Sequence, residues 1–223
     1  MLEIVKTADG SNTIFNSEVG EHYHSKHGAA QESRHVFIKA GLSYFLENNS
    51  AATSVSILEV GFGTGLNFLL SADFCVDKGI MLDYTGIEAY PLSLEMITQT
   101  GYDQYVSQQL WQKFIADYES VFISPIELIP NRKLQIAICK LLDFTSKQQY
   151  DIIYFDAFAV AHQPEMWDEA SISHTIQFLK PGGVFVTYAI TGNLKRALKA
   201  LGCKVEKAPG APGKREMLRA VKM

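Results

Sequence analysis

The chain has 223 residues, 47% of them hydrophobic and 20% charged, and a formal net charge of −4, which predicts one large globular unit and excludes a disordered or disulfide-stapled chain. No run of about 18 apolar residues exists, so no membrane span is expected, and MLEIVKTADG lacks the apolar core of a secretory signal. Three scattered cysteines, Cys75, Cys139 and Cys203, match no metal-ligand spacing and point to reduced thiols in a cytoplasmic protein.

In chain order, residues 1–50 read as an extension packed on the core. A hairpin about Asp9-Gly10 leads into a polar, His-rich segment and then a helix. The main domain, residues 51–223, opens on an apolar strand, Val55 to Val60. Further strands are expected at Leu82 to Glu88, Leu134 to Cys139 and Asp151 to Asp156. Between the second and third, residues 91–131 are too long for a simple crossover and predict an insertion of two or three helices. A helix from Ser171 to Leu179 should stop at Pro181, and a fifth strand, Gly183 to Ile190, should follow the turn Lys180-Pro181-Gly182-Gly183. The end reads as helix Asn193 to Leu201, strand Cys203 to Lys207, the loop APGAPGK and strand Glu216 to Val221. Short apolar strands alternating with helices predict an α/β fold whose mostly parallel sheet is covered on both faces. From Thr191 onward nine Lys or Arg stand against two acids, so this end can meet nucleic acid although the whole chain is acidic.

The most telling segment is ILEVGFGTGLNF, Ile57 to Phe68. An apolar strand ends in an acid, three alternate glycines follow, and then a helix begins. Glycines allow close backbone approach to a ligand, and a helix N-terminus offers free N–H groups. The dinucleotide fingerprint would need glycine where Leu66 stands. The pattern instead resembles the first motif of class I S-adenosylmethionine-dependent methyltransferases, with their Rossmann-like sheet and antiparallel C-terminal hairpin. That resemblance implies S-adenosyl-L-methionine as cofactor and Glu59, Gly61, Phe62, Gly63, Thr64, Gly65 and Asn67 as its contacts. Ligands of such sheets bind beyond the carboxyl ends of the strands. Glu88 can then accept the ribose hydroxyls, and Asp143 the adenine amine. Asp156, at the end of the fourth strand, faces the sulfonium methyl and can orient an amine and take its proton. Phe158 offers a flat apolar wall.

Beyond the first motif, the chain resembles the methyltransferase module of the MnmC family. The matching segments are EVGFGTGLNFL (Glu59 to Leu69), IEAYPL (Ile87 to Leu92), DAFAVAHQPEMW (Asp156 to Trp167), GKREML (Gly213 to Leu218) and GAAQESRHVFI (Gly28 to Ile38). The resemblance implies N-methylation of the 5-aminomethyl group on the wobble uridine of tRNA, giving 5-methylaminomethyl(-2-thio)uridine. The fused FAD-dependent oxidase of many members exceeds this length, so the aminomethyl precursor would come from a separate oxidase or from aminomethyl-forming enzymes. Ala157 and Val160 replace the family's usual glycine and proline, and Leu142 replaces the glycine before Asp143. Glu32 matches a family acid at the cofactor mouth. Lys214 and Arg215, in a Gly/Pro loop, suit phosphate contacts. His22, His24 and His27 have no further zinc-type ligands beside them and fit a lid or a tRNA-contacting segment; no metal is expected.

Two other readings share the fold. A spermidine-synthase-like aminopropyltransferase, or another small-amine methyltransferase, also wants an Asp after the fourth strand, but a polyamine pocket favours acids over a basic C-terminal end. A non-catalytic RNA-binding protein would not need Glu88, Asp143 and Asp156 beside an intact glycine turn.

Overall fold

The computed structural model describes residues 1–223. β1 (Leu2–Lys6) and β2 (Asn12–Asn16) pair antiparallel about the expected turn, and β3 (Glu21–His22) adds a third strand. Asp9 closes that turn by accepting from the Thr7 hydroxyl and the Ser11 N–H. One unbroken helix follows: α1 (Ala29–Ser33), a wider-wound stretch Arg34–Ser43, and α2 (Tyr44–Asn48). Its apolar residues Val36, Phe37 and Leu42 are buried in the main core.

The central sheet is built from β4 (Ser54–Val60), β5 (Met81–Glu88), β6 (Ile126–Ile129), β7 (Arg132–Ile138), β8 (Tyr150–Phe155), β9 (Leu179–Thr187), β10 (Cys203–Pro209) and β11 (Glu216–Lys222). The spatial order is β10-β11-β9-β8-β4-β5-β7-β6. The five strands from β9 to β7 are parallel; β11 and β6 run against them, and β10 pairs antiparallel with β11. Helices α3 (Leu66–Lys78), α4 (Leu94–Gln99), α5 (Gln108–Asp117), α6 (Glu169–Ile176) and α7 (Gly192–Ala200) connect them. α3 and α5 pack with the N-terminal helix in one core, around Phe37, Phe68 and Phe114. α6 and α7 pack over the other face, around Ile172, Leu194 and Leu198.

Two expected elements differ. The segment 91–131 holds α4, α5 and short 3₁₀ turns, but it also ends in the edge strand β6. Ile126–Ile129 folds back on β7 because Asn131 takes a left-handed conformation (φ 64°) after Pro130. The fifth strand begins at Leu179 rather than Gly183: Lys180-Pro181-Gly182-Gly183 is an irregularity within β9, not a turn before it. Leu179 pairs with Tyr150, the register shifts, and pairing resumes at Val184 with Ile152. Pro is tolerated there because a bulge asks for no ladder donor.

From β4 the chain winds outward to β5 and β7, and from β8 outward to β9. The direction therefore reverses between β4 and β8, which opens a crevice at their carboxyl ends.

Candidate active site

A cavity of about 1310 Å³ occupies that crevice. Its floor is the turn after β4. Gly61, Gly63 and Gly65 all adopt positive φ there (84°, 52° and 77°). A Cβ on Gly61 would stand 2.5 Å from the backbone oxygen of Asp156, so this glycine lets the turn lie against the end of β8. Gly61, Phe62, Gly63 and Thr64 line the cavity. Gly65 does not; it is the left-handed N-cap of α3.

Glu88 and Asp143 both line the cavity, on the β5 and β7 side. The Glu88 carboxylate accepts from the Gly63 N–H at 2.8 Å and the Tyr90 N–H at 2.9 Å, tying the ends of β4 and β5 together. Asp143 is exposed on a 3₁₀ turn after β7.

Asp156 emerges at the end of β8 and faces the cavity. Burial, then the nearby Glu32, push its carboxyl up to about 8, against the hydrogen bond from Asn67 and the charge of Lys214. Around it stand Tyr23, Phe158 and Tyr188, all cavity-lining. The Tyr23 and Phe158 rings meet edge-on at 5.1 Å, and the Tyr188 hydroxyl donates to the Ala157 carbonyl at 2.9 Å. Trp167, which donates to the Phe158 carbonyl, packs on Phe155 beneath.

The N-terminal extension forms the opposite wall. Buried His24 bonds to Thr64 of the glycine turn at 2.8 Å, and burial pushes its imidazole down to about 4. Glu21 accepts from the Ala159 N–H at 2.7 Å. The other two histidines diverge: His22 stacks on Phe15, and His27 lies against Gly213. Sequence reasoning missed Glu21, Tyr23 and Tyr188. For the first two, a clue was available in their place within EHYHSKHG.

Three expectations need correction. Glu59 does not reach the cavity. Strand side chains alternate, so Glu59 shares the face of Val55 and Ile57 and lies fully buried beneath α3. Its oxygens accept from Asn67 at 2.7 Å and from the Tyr84 hydroxyl at 2.8 Å. Burial, then the Asp156 charge, hold its carboxyl well above the usual range. Asn67 likewise sits behind the cavity wall, joined to Asp156 at 2.8 Å. Lys214 is not a free surface cation. It lines the cavity, pairs with Glu32 at 2.6 Å and lies 3.9 Å from the centre of the Tyr188 ring. Glu32 is itself fixed by the Ser25 N–H at 2.8 Å. Arg215, by contrast, is exposed and makes no ion pair.

Acids thus outnumber bases around the cavity: Glu21, Glu32, Glu88, Asp143 and Asp156 are joined by Glu18, Glu165 and Asp168, against Lys26, Lys140 and Lys214, the last of them paired with Glu32. Such a field suits a cationic ligand or two. The volume exceeds the roughly 300–1,000 Å³ of a single-ligand pocket.

A family model described as S-adenosyl-L-methionine-dependent methyltransferase matches residues 104–223. The tRNA 5-methylaminomethyl-2-thiouridine biosynthesis bifunctional protein MnmC of Leptospira borgpetersenii is 29% identical over 213 residues, covering 88% of this chain and 31% of that protein. MnmC of Methylobacillus flagellatus is 27% identical over 221 residues, covering 92% and 33%. The chain therefore spans about a third of the length of the curated relatives it matches. Among solved structures, MNMC2 from Aquifex aeolicus matches with a TM-score of 0.77 at 23% identity, over 99% of this chain and 70% of that one. Spermidine synthase from Thermotoga maritima matches with a TM-score of 0.57 at 13% identity, over 99% and 68%. Both likenesses concern the fold.

Proposed function

We propose, because this chain belongs to the S-adenosyl-L-methionine-dependent methyltransferase family whose model matches more than half of it, that it methylates the 5-aminomethyl group of a tRNA wobble uridine. Its cofactor is S-adenosyl-L-methionine, which supplies a methyl group on a sulfonium. The observation that carries the substrate reading is Asp156: a carboxylate at the end of β8, beside the glycine turn and between aromatic walls.

The backbone of Gly61 to Thr64 would approach the cofactor, with Glu88 accepting its ribose hydroxyls and Asp143 its adenine amine. Phe158 would flank the nucleobase, and Tyr23 and Tyr188 would complete the walls; a pocket of this size can take a base swung out of its stack. An alkyl amine arrives mostly as the ammonium, and the surrounding acids favour its entry. Asp156 accepts a hydrogen bond from it, aims the nitrogen and takes its proton, a role suited to a carboxyl with pKa about 8. Arg215 would contact phosphate outside the cavity. The MnmC relatives, matched along almost the whole chain, support tRNA as the amine carrier.

The test is incubation with labelled S-adenosylmethionine and tRNA bearing 5-aminomethyluridine, with and without 2-thiolation, followed by nucleoside analysis. Label in 5-methylaminomethyluridine is the expected result. Its absence, with aminopropyl transfer from decarboxylated cofactor to a free polyamine, would replace this reading by the aminopropyltransferase one.

A further inference from the structure

Asn67 stands in the first turn of α3 with its amide nitrogen between two carboxyls. Nδ2 lies 2.7 Å from Glu59 Oε1 and 2.8 Å from Asp156 Oδ2. An amide nitrogen carries two hydrogens, so each oxygen receives one and none is spare. The Oδ1 of the same amide is buried without a partner. An orphaned buried acceptor is unfavourable; turning the amide round would instead aim that oxygen at both carboxyls. The donor-facing orientation is therefore favoured while Asp156 is charged. Glu59, behind it, is wholly buried, has no ion-pair partner, and touches only Asn67 and Tyr84 through its carboxyl oxygens.

We propose that Asn67 is the positioning residue that holds the Asp156 carboxylate toward the cavity, and that Glu59 is a neutral carboxylic acid anchoring Asn67 from behind. Two buried carboxylates sharing one amide cannot both be charged cheaply, and the deeper one keeps the proton. The Tyr84 hydroxyl donates to Oε2 at 2.8 Å and Asn67 to Oε1 at 2.7 Å, contacts that a protonated carboxyl retains through its remaining acceptor capacity. Asp156, facing the cavity, is the one that ionises; the other charged groups around it are Glu32 from α1, Glu21 from β3 and Lys214 from the β10–β11 loop. The acid of the glycine motif thus acts on the reaction through Asn67 and Asp156 without touching the cofactor. The positioning role rests on the reading of Asp156 given above.

Difference infrared titration of the carboxyl band, on the whole chain without substrate, separates the two. Wild type should keep one protonated-carboxyl band well above the Asp156 midpoint of about 8, and Glu59→Gln should remove it. Gln keeps the size and neutrality of the acid and the oxygen that accepts from Asn67, so calorimetry should give an unchanged cofactor Kd. Asn67→Ala should move the Asp156 midpoint upward, because a donor to its charged form is gone. It should also lower kcat roughly tenfold or more while sparing cofactor Kd, the signature of a misaimed group. Absence of the high-pH band in wild type, about tenfold weaker cofactor binding by Glu59→Gln, or an unmoved midpoint in Asn67→Ala would each overturn the proposal. If no aminomethylated tRNA is methylated, the functional reading fails, and the infrared midpoints still decide the states of Glu59 and Asp156.

Discussion

At Gly61 the missing side chain matters more than anything a side chain could add. Its φ of 84° is left-handed, and a Cβ would meet backbone rather than a movable side chain. At Gly63 the φ is 52°, and a Cβ would meet only the Tyr23 ring edge at 3.0 Å. Gly61→Ala should therefore cost more cofactor affinity than Gly63→Ala, while Gly63→Val should abolish binding; calorimetry ranks the three. Asp156→Asn keeps size and loses charge, so kcat should fall about 10²-fold or more with cofactor Kd largely retained. Wild-type kcat/KM should rise with pH through about 8 as Asp156 ionises, and Asp156→Asn should lose that limb. Near-wild-type turnover by this variant would remove Asp156 from the chemistry.

Among the elements, the N-terminal extension has the clearest stake in the site, because His24, Glu21 and Glu32 each bond to a loop of the main sheet. His24 is buried neutral, with its pKa lowered from 6.5 to about 4. Between those values the unfolded chain binds a proton that the folded one refuses, so stability is lost as pH falls from 6.5 toward 4. Each pH unit of the shift is worth about 1.4 kcal/mol. Asp156 and Glu59 act with the opposite sign, since their raised values make the folded state the better proton binder and favour it at lower pH. A comparison with His24→Gln isolates the histidine: thermal melts of the variant should fall less between neutral and acid pH than those of wild type. Equal slopes would mean that His24 is charged in the folded protein.

For the whole molecule, the basic C-terminal excess is less available to RNA than its count suggests. Lys214 pairs with Glu32, Lys207 with Glu216, and Arg219 with Glu206 while stacking on Tyr44; Lys222 donates to the Ile176 and Leu179 carbonyls. Arg215 and the α7 residues Lys195 and Lys199 have no carboxylate partner. Arg215→Ala should therefore raise the tRNA KM and reduce the salt slope by about one counterion. Lys214→Ala should leave that slope alone and instead raise the Asp156 midpoint, because Lys214 favours its charged form. If both variants flatten the slope equally, Lys214 faces the RNA rather than the cavity.

The alternation of apolar strands and helices, the glycine turn and the acids closing β5 and β8 were legible in the residues themselves, because periodicity and turn chemistry are local. So were Asp156 and Glu88 as cavity groups, since a strand's carboxyl end is where such sheets open. Only the folded chain decided that Glu59 turns away beneath α3, that Lys214 is spent on Glu32 from 182 positions away, and that Tyr23 and Tyr188 meet the same cavity. The edge strand β6 and the early start of β9 also escaped, one hidden in an insertion and the other behind a proline that reads as a turn. The physical reason is common to all of these: which side of a strand is buried, and which distant charge is paired, depend on neighbours that sequence spacing does not name.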